Sequence, residues 1–594
     1  MKIHSTFWQN VREIILAATA FWCCNEARAV YWTVISSADN NGPNTYTLRD
    51  VINNHAVAGD IITFGFPSST TITLNPLLGN QGELAINFNL TISNGLGATN
   101  LSIVNTGGRV FHVAVGNITF AVSGLTMTGQ YTAPAGADGT ALSHNGSSGT
   151  AAFGGGIFDE SSQLLSVSNC IMVNCMAVGG KGGNAYVPIT EGARAEGNGG
   201  DGGYGSGGAI SHEHGDLYIY GSTFMTNIAS GGKGGKGHDG GTGGNGGQAG
   251  KGLLDSGGGG GGAVEVEYDS AQFSMINSTF LQNIANGGQG GQGGDGWILG
   301  SGATANGGAG GMGGNASGGA IYIVAGCIAC QNMNCRGLDS CTVVVNTCNP
   351  GSGGSGGASG GSGGSAGATG SSGTSYGGGL WFANVGCLKL ANTIIADNFP
   401  NSSFAVVGPD IDAVVDSLGW NLIGNATGSS GWPSASTSTD LLGMVGPNGY
   451  MEPYIGPLSF NNGGPTPTLL PTVCSPALDA GANVWHNPTD QNGQPRTVPI
   501  RPFYNSSDGT DIGAVELQSF PAAPALTITQ TPAEIIIGWT LTNGPCYELQ
   551  QTSDLSSGPW VVSPNQVQSG NNQYNVFIPL PVTGDMFYRL WYPY

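Results

Sequence analysis

The chain has 594 residues, 108 of them glycine, and its 15 Lys and Arg against 36 Asp and Glu leave a formal net charge of −21. Glycine costs about 1 kcal/mol at each helix position, so the composition excludes a helical protein. The excess of carboxylates argues against nucleic acid or an anionic membrane as a partner, and the irregular glycine spacing with only 29 prolines excludes collagen.

The N-terminus has the pattern of an export signal. Lys2 and Arg12 precede the apolar run 14–22, and residues 27–29 fit a small-x-small cleavage site. We therefore predict a signal peptide over 1–29 and a secreted, extracellular or cell-surface protein. A run of about nine apolar residues cannot cross a bilayer that needs roughly 20, and we expect no transmembrane segment after the signal.

Residues 31–130 contain short stretches of alternating apolar residues separated by turns rich in glycine and asparagine. Alternation with a period of two is typical of strands that bury one face. We interpret this region as several short β repeats.

The middle of the chain contains five longer repeats. Each begins with two glycines, and the starts are 53 to 59 residues apart. The first apolar residues of the repeats are Ile157, Ile210, Val264, Ile321 and Leu380. Each repeat then alternates apolar residues in a second strand, at Leu165/Val167, Leu217/Ile219, Phe273/Met275, Ile328/Cys330 and Leu388/Leu390. Residues that tolerate left-handed backbone follow as corners, at Asn169, Gly221, Asn277, Asn332 and Asn392. A second asparagine occurs at Asn227, Asn283 and Asn398.

Three short strands in one repeat cannot bury an apolar face alone. Stacked repeats form a continuous core in which equivalent strands pair in parallel. No 3.6-residue apolar period occurs in these repeats, so helical crossovers are not expected. The pattern predicts an all-β parallel solenoid.

Four glycine-rich inserts separate the third strand of one repeat from the first strand of the next. They span 179–208, 231–262, 287–319 and 350–379. Because they occupy the same place in each repeat, we expect them to leave one corner and lie side by side. Low-complexity glycine is typical of flexible loops, but its spacing of nearly three residues also permits packing as polyglycine II-like threads. The sequence leaves both interpretations open.

After residue 400 the repeat pattern decays into a Pro-, Gly- and Asp-rich region, which we interpret as a C-terminal cap over 400–517 within a solenoid domain of 30–517. Residues 518–524 read as a linker. Alternating strands over 525–594 predict a small β-sandwich.

Several of these segments resemble one group of secreted bacterial proteins. The matching segments are 33–39, 48–52, 60–64, 417–424, 462–468, 475–481, 489–496 and 511–516, together with the Gly-Gly-Ala-Ile and Asn-Ser-Thr-Phe blocks. They resemble right-handed parallel β-helix repeat proteins of the choice-of-anchor Q type, with polymorphic-outer-membrane-protein-like repeats. The resemblance implies a right-handed parallel β-helix with the pectin-lyase-like fold up to about residue 517. The C-terminal region, with Trp560 and 587–590, resembles a fibronectin-like domain.

That fold includes pectate lyases and polygalacturonases, so a polysaccharide lyase or glycoside hydrolase is the alternative function. A uronate lyase needs an Arg or Lys base beside carboxylates that hold Ca²⁺, and the repeats contain few cations. The only His/carboxylate cluster is His212, Glu213 and His214 with Asp216, in which two imidazoles at i and i+2 are a weak metal site. We assign no catalytic or cofactor-binding residue and favour a non-enzymatic role.

Two further features give specific expectations. Glu160, Glu213 and Glu267 each lie three residues after the first apolar residue of a repeat, so they should be neighbours on an outward face, with Glu265 two residues before Glu267 on the same face. Such carboxylates either splay into solvent or bind Ca²⁺, the one cofactor that the sequence offers.

Cys327 and Cys387 occupy equivalent places in neighbouring repeats, within the distance that a disulfide allows. They are either a disulfide or two buried thiols.

The favoured function is a secreted or cell-surface structural and binding protein. An adhesin-like protein of this kind presents loops on a rigid rod to an extracellular glycan or to another cell. Side chains of Arg and Lys in a carboxylate-lined groove would instead favour the lyase or hydrolase.

Overall fold

A computed structural model describes most of the chain after residue 28. The described residues are 29–594 except 115, 187–196, 241–257, 298–304, 325–336, 361–362, 383–387, 401–405, 435–436, 445–448, 501–507, 520–523, 541–545, 571–572, 581–583 and 593–594. The predicted signal peptide therefore lies almost wholly outside them. Cys327 and Cys387 also lie outside the described residues, so their pairing stays a prediction.

The molecule is almost entirely β structure, in long sheets of parallel strands. Successive repeats add one strand to each sheet, and the first strands pair in the register that the sequence predicts: Ile157 with Ile210, Ile210 with Val264, Val264 with Ile321, and Ile321 with Leu380. The stacked parallel sheets are compatible with a β-helix-like solenoid. They confirm the all-β class and the alignment of the repeat starts.

Five parallel sheets are named here by their order within a repeat. The first sheet contains Leu84–Ala85, Phe111–Val113, Ile157–Asp159, the first parts of Ile210–Tyr220 and Val264–Ile276, Ile321–Ile323, Leu380–Phe382 and Ile411–Asp412. The second sheet contains Tyr31–Val34, Asp60–Phe64, Leu90–Ser93, Thr119–Ser123, Leu164–Ser168, the second parts of the same two long strands, Gly337–Asp339, Leu388–Ala391 and Val415–Ser417. The long strands join the first and second sheets into one 16-stranded sheet.

The third and fourth sheets follow the second in each repeat and together have 15 strands. The third sheet contains Thr70–Thr73, Leu101–Asn105, the first part of Thr126–Thr132, Ile171–Val173, Thr223–Met225, Thr279–Leu281, Thr342–Val344, Ile394–Ala396, Leu422–Ile423 and Leu441–Leu442. The fourth contains the rest of Thr126–Thr132, Met176–Val178, Ile228–Ser230, Ile284–Asn286, Thr347–Asn349 and Phe399–Pro400. The fifth sheet has six strands, Ala152–Phe153, Gly205–Ser206, Gly258–Gly260, Asn315–Ser317, Ser375–Tyr376 and Val406–Val407.

Within the described residues, helical structure is confined to four short segments. They are Leu48–Asp50 (α), Val51–His55 (π), Asn80–Gly82 (3₁₀) and Asn461–Gly463 (3₁₀). No helix in the described ranges has the length and apolar character needed to cross a lipid bilayer.

The inward residues of the first three sheets form one hydrophobic core that runs along the stack. Alternate positions are buried in strands of the second sheet, as in Leu165 and Val167, Leu217 and Ile219. Beside this core runs a ladder of buried asparagines: Asn283 accepts from the backbone N–H of Asn227 at 3.1 Å and donates to Asn346 at 2.9 Å. The ladder satisfies backbone groups at the corner between the third and fourth sheets.

The fourth repeat departs from the predicted alignment. Its second strand is Gly337–Asp339, where Leu338 pairs with Met275, and its corner is Ser340, whose φ is 53°. The predicted strand at Ile328/Cys330 and the corner at Asn332 lie outside the described residues. Their predicted alignment with the third repeat is wrong, because Leu338 and not Cys330 pairs with Met275. This repeat contains an insertion between its first two strands, which shifted the sequence alignment.

Part of the region predicted as a cap covers a sheet face. Residues 461–500 and 508–517 lie along the outer side of the third sheet, where Leu469, Ala477 and Ile512 pack against apolar side chains of four repeats. The side chains of Thr223 and Thr279 bond to Pro467 and Gln491 at 2.7 and 2.6 Å. These two outer positions of the third sheet are therefore buried.

The C-terminal region consists of two antiparallel sheets, as the sequence predicts. One contains Thr527–Gln530, Glu534–Thr540, Gln573–Pro579 and Val567–Gly570, and the other contains Val561–Val562, Glu548–Thr552 and Phe587–Trp591. Ile537 and Trp539 of the first pack with Leu549 of the second in a shared core. A disulfide joins Cys474 to Cys546 across the predicted linker.

The glycine-rich inserts are ordered threads. In four of the inserts the described residues run outward and then return, and a further insert that was not predicted from the sequence precedes the other four. The outgoing threads are 134–139, 179–186, 231–240, 287–296 and 350–358, and the described returning threads are 145–151, 197–204, 305–314 and 364–374. Their backbone hydrogen bonds recur every third residue, which is the period of a polyproline II helix.

These threads form two hydrogen-bonded rows. Along a row, Gly182 donates to Lys233 of the next repeat at 2.8 Å; between rows, Gly180 donates to Thr150 at 2.8 Å and Gly203 donates to Gly180 at 2.7 Å. The polyglycine II-like interpretation is confirmed and the flexible-loop interpretation is wrong for the described threads. The inserts leave one corner side by side, as predicted.

Glycine content follows the number of neighbouring threads. The inner returning thread 305–314 has two glycines in three residues, because a Cβ at Gly310 would lie 1.9 Å from the carbonyl oxygen of Gly354. In the last returning thread the equivalent positions are Ala366, Thr369 and Ser372. The bundle thus ends where side chains replace the glycines that a further thread would require.

Candidate functional site

The carboxylate row, Glu160, Glu213 and Glu267, lies at the border between the first and second sheets. Each residue directly follows the paired first-strand positions Asp159, His212 and Val266. The three carboxylates are neighbours, because the charges of Glu160 and Glu267 both act on Glu213. Calcium binding or catalysis by this row stays a prediction.

The middle carboxyl of the row has an unusual proton affinity. Burial, followed by the charges of Glu267, Glu160 and Asp159, raises the pKa of Glu213 to about 7. Glu160 at one end is half exposed. A carboxyl with a raised pKa beside other carboxyl groups is typical of sites in which one group acts as acid and another as base.

Glu265 does not share the exposure of the row. Its side chain faces outward from the first sheet, but the fifth sheet covers it and leaves it fully buried. Ser211 and Tyr204 donate hydrogen bonds to its carboxyl oxygens at 2.7 and 3.3 Å. Burial, and then the charge of Glu267, raise the pKa of Glu265. Because Glu265 is buried, the expectation that it lies on an exposed face is wrong.

A network that the sequence analysis missed holds one end of the row. His112 bonds to Glu83 through Nδ1 at 2.9 Å and to Glu160 through Nε2 at 3.2 Å. Arg109 also bonds to Glu83, at 3.1 Å, and its guanidinium stacks 3.5 Å from the ring centroid of Tyr131. These residues come from short N-terminal repeats that share no aligned motif with the later ones.

This network raises the pKa of His112. Burial alone would lower the pKa of His112, but the hydrogen bond and charge of Glu83 outweigh it and raise that pKa. Conversely, bonds with His112 and the charge of Arg109 hold the pKa of Glu83 below its usual value despite burial. Both partners of His112 are carboxylates, so its imidazolium form donates two hydrogen bonds.

The His212–Glu213–His214 segment does not present two imidazoles to one face. His212 is buried and bonds to Asp159 at 2.8 Å, whereas His214 is exposed. A register shift between them breaks the strand alternation that the sequence analysis assumed. The weak metal-site interpretation of this segment is therefore wrong.

The described residues contain no group of three or more His, Cys, Asp or Glu side chains arranged to hold a metal ion. Glu265 is bonded to hydroxyl groups beneath the fifth sheet, which removes it from the set of four candidate ligands. Calcium binding by the remaining row stays a prediction.

The outgoing threads present a second, regular surface, which we call the outgoing face. In most triplets two residues are glycines that face neighbouring threads, and the third side chain points to solvent. The outward residues of the first two triplets are Lys181 and Asn184, Lys233 and Lys236, Gln289 and Gln292, and Ser352 and Ser355. Adjacent strands lie about 4.8 Å apart and a triplet of polyproline II spans about 9 Å, so the side chains form a lattice with those spacings.

Short polar side chains stabilise this lattice through hydrogen bonds to the backbone of the next thread. Asn184 accepts from the backbone N–H of Lys236 at 3.0 Å, and Asp239 accepts from that of Asp295 at 2.8 Å. An amide or carboxylate thus satisfies the outward N–H of the next thread, which no glycine can do. The outgoing face is consequently held in register by both backbone and side chains.

In comparison with known proteins, the chain matches no protein-family model, no curated protein and no solved structure.

Proposed function

We propose that the protein is a secreted or cell-surface binding protein, adhesin-like, in which a right-handed parallel β-helix forms a rigid rod and displays the thread bundle to glycans or other cells. The observation that carries this proposal is the hydrogen bonding of the threads in two rows. Such order turns glycine-rich sequence into a rigid, side-chain-bearing surface. Rigid surfaces lose less conformational entropy on binding than flexible loops do.

Two other observations support the proposal. The disulfide between Cys474 and Cys546 is typical of an oxidising compartment. The net charge of −21 keeps a protein of this size soluble and disfavours nucleic acid.

The test uses purified chain from residue 30 onward and a variant that lacks the insert 287–314. Binding is measured on a glycan array and to intact cells. Binding by the full chain that the deletion abolishes, with the thermal unfolding of the sheets retained, supports the proposal. Equal binding by both proteins would refute the role of the threads, and no binding by the full chain would refute the function.

A second candidate function, glycoside hydrolysis, is favoured by the carboxylate row. Glu213, with a pKa of about 7, is a suitable general acid at neutral pH, and Glu160, held by His112 at 3.2 Å, is a carboxylate on the adjacent strand. Adjacent strands are about 4.8 Å apart, close to the roughly 5 Å between carboxyl groups of retaining glycosidases.

This candidate is tested by release of reducing ends from neutral and acidic polysaccharides. Activity should fall at least 100-fold in Glu213→Gln and in Glu160→Gln, and the basic limb of its pH profile should lie near pH 7. Unchanged activity in both variants would exclude the row as the source. The exposed Asp138→Asn on a thread is the control.

A further inference from the structure

We propose that the outgoing face binds a linear acidic polysaccharide through Lys181, Lys233 and Lys236. This inference rests on the proposed binding function and names the ligand class and the residues.

Exposed positive charge is concentrated on this face. Among the lysines and arginines in the described ranges, only Lys181 and Lys233 are exposed. Arg49, Arg109 and Arg496 are buried, and Lys236, Lys389 and Arg589 are partly buried. Within the described residues, a protein with a net charge of −21 therefore places its freely accessible cations together on one surface.

The lysines are fixed relative to one another by the backbone. Lys181 and Lys233 lie on adjacent threads, because Gly182 donates to the carbonyl of Lys233 at 2.8 Å. Lys233 and Lys236 are one triplet apart on the same thread, about 9 Å. The ammonium group of Lys236 also bonds to Asp239 at 2.5 Å, which holds its position.

The neighbouring threads extend the face with hydrogen-bond donors. Gln289, Gln292, Ser352 and Ser355 are all exposed and continue the same columns. Amide and hydroxyl groups donate to hydroxyl and carboxylate oxygens. In contrast, the described returning threads expose no lysine or arginine and include Met312. Within the described threads, the two faces of the bundle therefore differ in chemistry.

The lysines are sparse and share the outgoing threads with Asp138, Asp239 and Asp295, which matches a sparsely charged acidic polysaccharide better than a dense polyanion. Duplex DNA has one charge per about 1.7 Å, and its binding requires many more basic residues than three. The overall negative charge of the protein also repels such dense polyanions. A polyuronate has at most one carboxylate in each sugar and many hydroxyl groups. Such a polymer suits a face whose cations lie about 4.8 Å apart across threads and about 9 Å apart along a thread, with the amides of Gln289 and Gln292 on the next thread.

The experiment measures binding of polygalacturonate by isothermal titration calorimetry at low and high salt. Dextran serves as the neutral probe and duplex DNA as the dense polyanion. The variants are a triple Lys181→Gln, Lys233→Gln, Lys236→Gln and a matched triple of lysine to arginine, both checked for unchanged thermal unfolding. We expect salt-sensitive binding of polygalacturonate that falls about tenfold in the glutamine variant and is retained in the arginine variant.

The outcomes separate this inference from the proposed function. Equal affinity of the wild type and the glutamine variant, or tighter binding of DNA than of polygalacturonate, would overturn the inference. Binding of dextran or of cells without binding of polygalacturonate would overturn it and leave the proposed function standing. Absence of binding to every glycan and to cells would overturn both.

Discussion

Replacement of Gly310 by alanine should destabilise the thread bundle while the parallel sheets remain folded. Gly310 lies in an inner returning thread, and its N–H donates to Ala368 at 2.8 Å. A Cβ there would lie 1.9 Å from the carbonyl oxygen of Gly354, whereas ordinary contacts begin at 3.4 Å. The two threads must therefore move apart by about 1.5 Å.

The cost follows from the bonds that this movement breaks. Gly354 donates to Gly311 at 2.8 Å and accepts from Gly370 at 2.9 Å, and neither bond survives a separation of that size. Two lost hydrogen bonds at about 1 kcal/mol each, with an overpacking cost of about 1–3 kcal/mol, give about 3–5 kcal/mol. An alanine at an unhindered glycine would instead stabilise by about 0.4–1 kcal/mol.

The assay is hydrogen exchange with mass spectrometry, compared between peptides from the threads and from the sheets. Thr369→Ala is the matched control, because Thr369 occupies the equivalent position in the last thread, where it is exposed. We expect Gly310→Ala to lose protection over 287–314 and 350–374, and the control to keep it. Retained protection in Gly310→Ala would refute the packing account of the glycine pattern.

Three other substitutions test separate features. The free energy of unfolding of the wild type should fall as pH rises from about 4.5 to 7, because the Glu213 carboxyl, with its raised pKa, binds more protons in the folded state. Glu213→Gln should remove this fall, which solvent screening reduces to about 1 kcal/mol. Urea unfolding at pH 5 and 8 measures it. Asn283→Ala should lower the free energy of unfolding by about 3 kcal/mol, because it leaves buried groups of the asparagine ladder unpaired. Asn286→Ala, at a partly exposed position of the same repeat, should lower it by less than about 1 kcal/mol. Similar values for the two variants would contradict the ladder account. Reduction of the disulfide, or Cys474→Ser with Cys546→Ser, should cost about 4 kcal/mol for its 72-residue loop, so limited proteolysis should release the C-terminal sheets; equal resistance would contradict this estimate.

Local sequence was sufficient to predict the repeats. Two glycines followed by an apolar residue recur at nearly constant spacing, and alternate residues are apolar, so Ile157, Ile210 and Val264 align as they do in the structure. Period-two alternation reports directly which residues point into a core. The same reasoning failed in the fourth repeat, where an insertion moved the strand to Gly337–Asp339 and no local signal distinguished the two registers.

Outward faces could not be predicted, because their burial depends on segments distant in sequence. Glu265 and Thr279 occupy outward strand positions that a local pattern predicts to be exposed. The fifth sheet covers Glu265, and the C-terminal segment that contains Gln491 covers Thr279. The glycine-rich threads also combine a local pattern that the sequence shows with a packing that it does not show. The three-residue spacing permits a polyproline II helix, but glycine alone is compatible with a flexible loop. Only the contacts between threads decide the outcome, since each N–H finds its acceptor on a different repeat and the chain becomes rigid when those repeats are stacked.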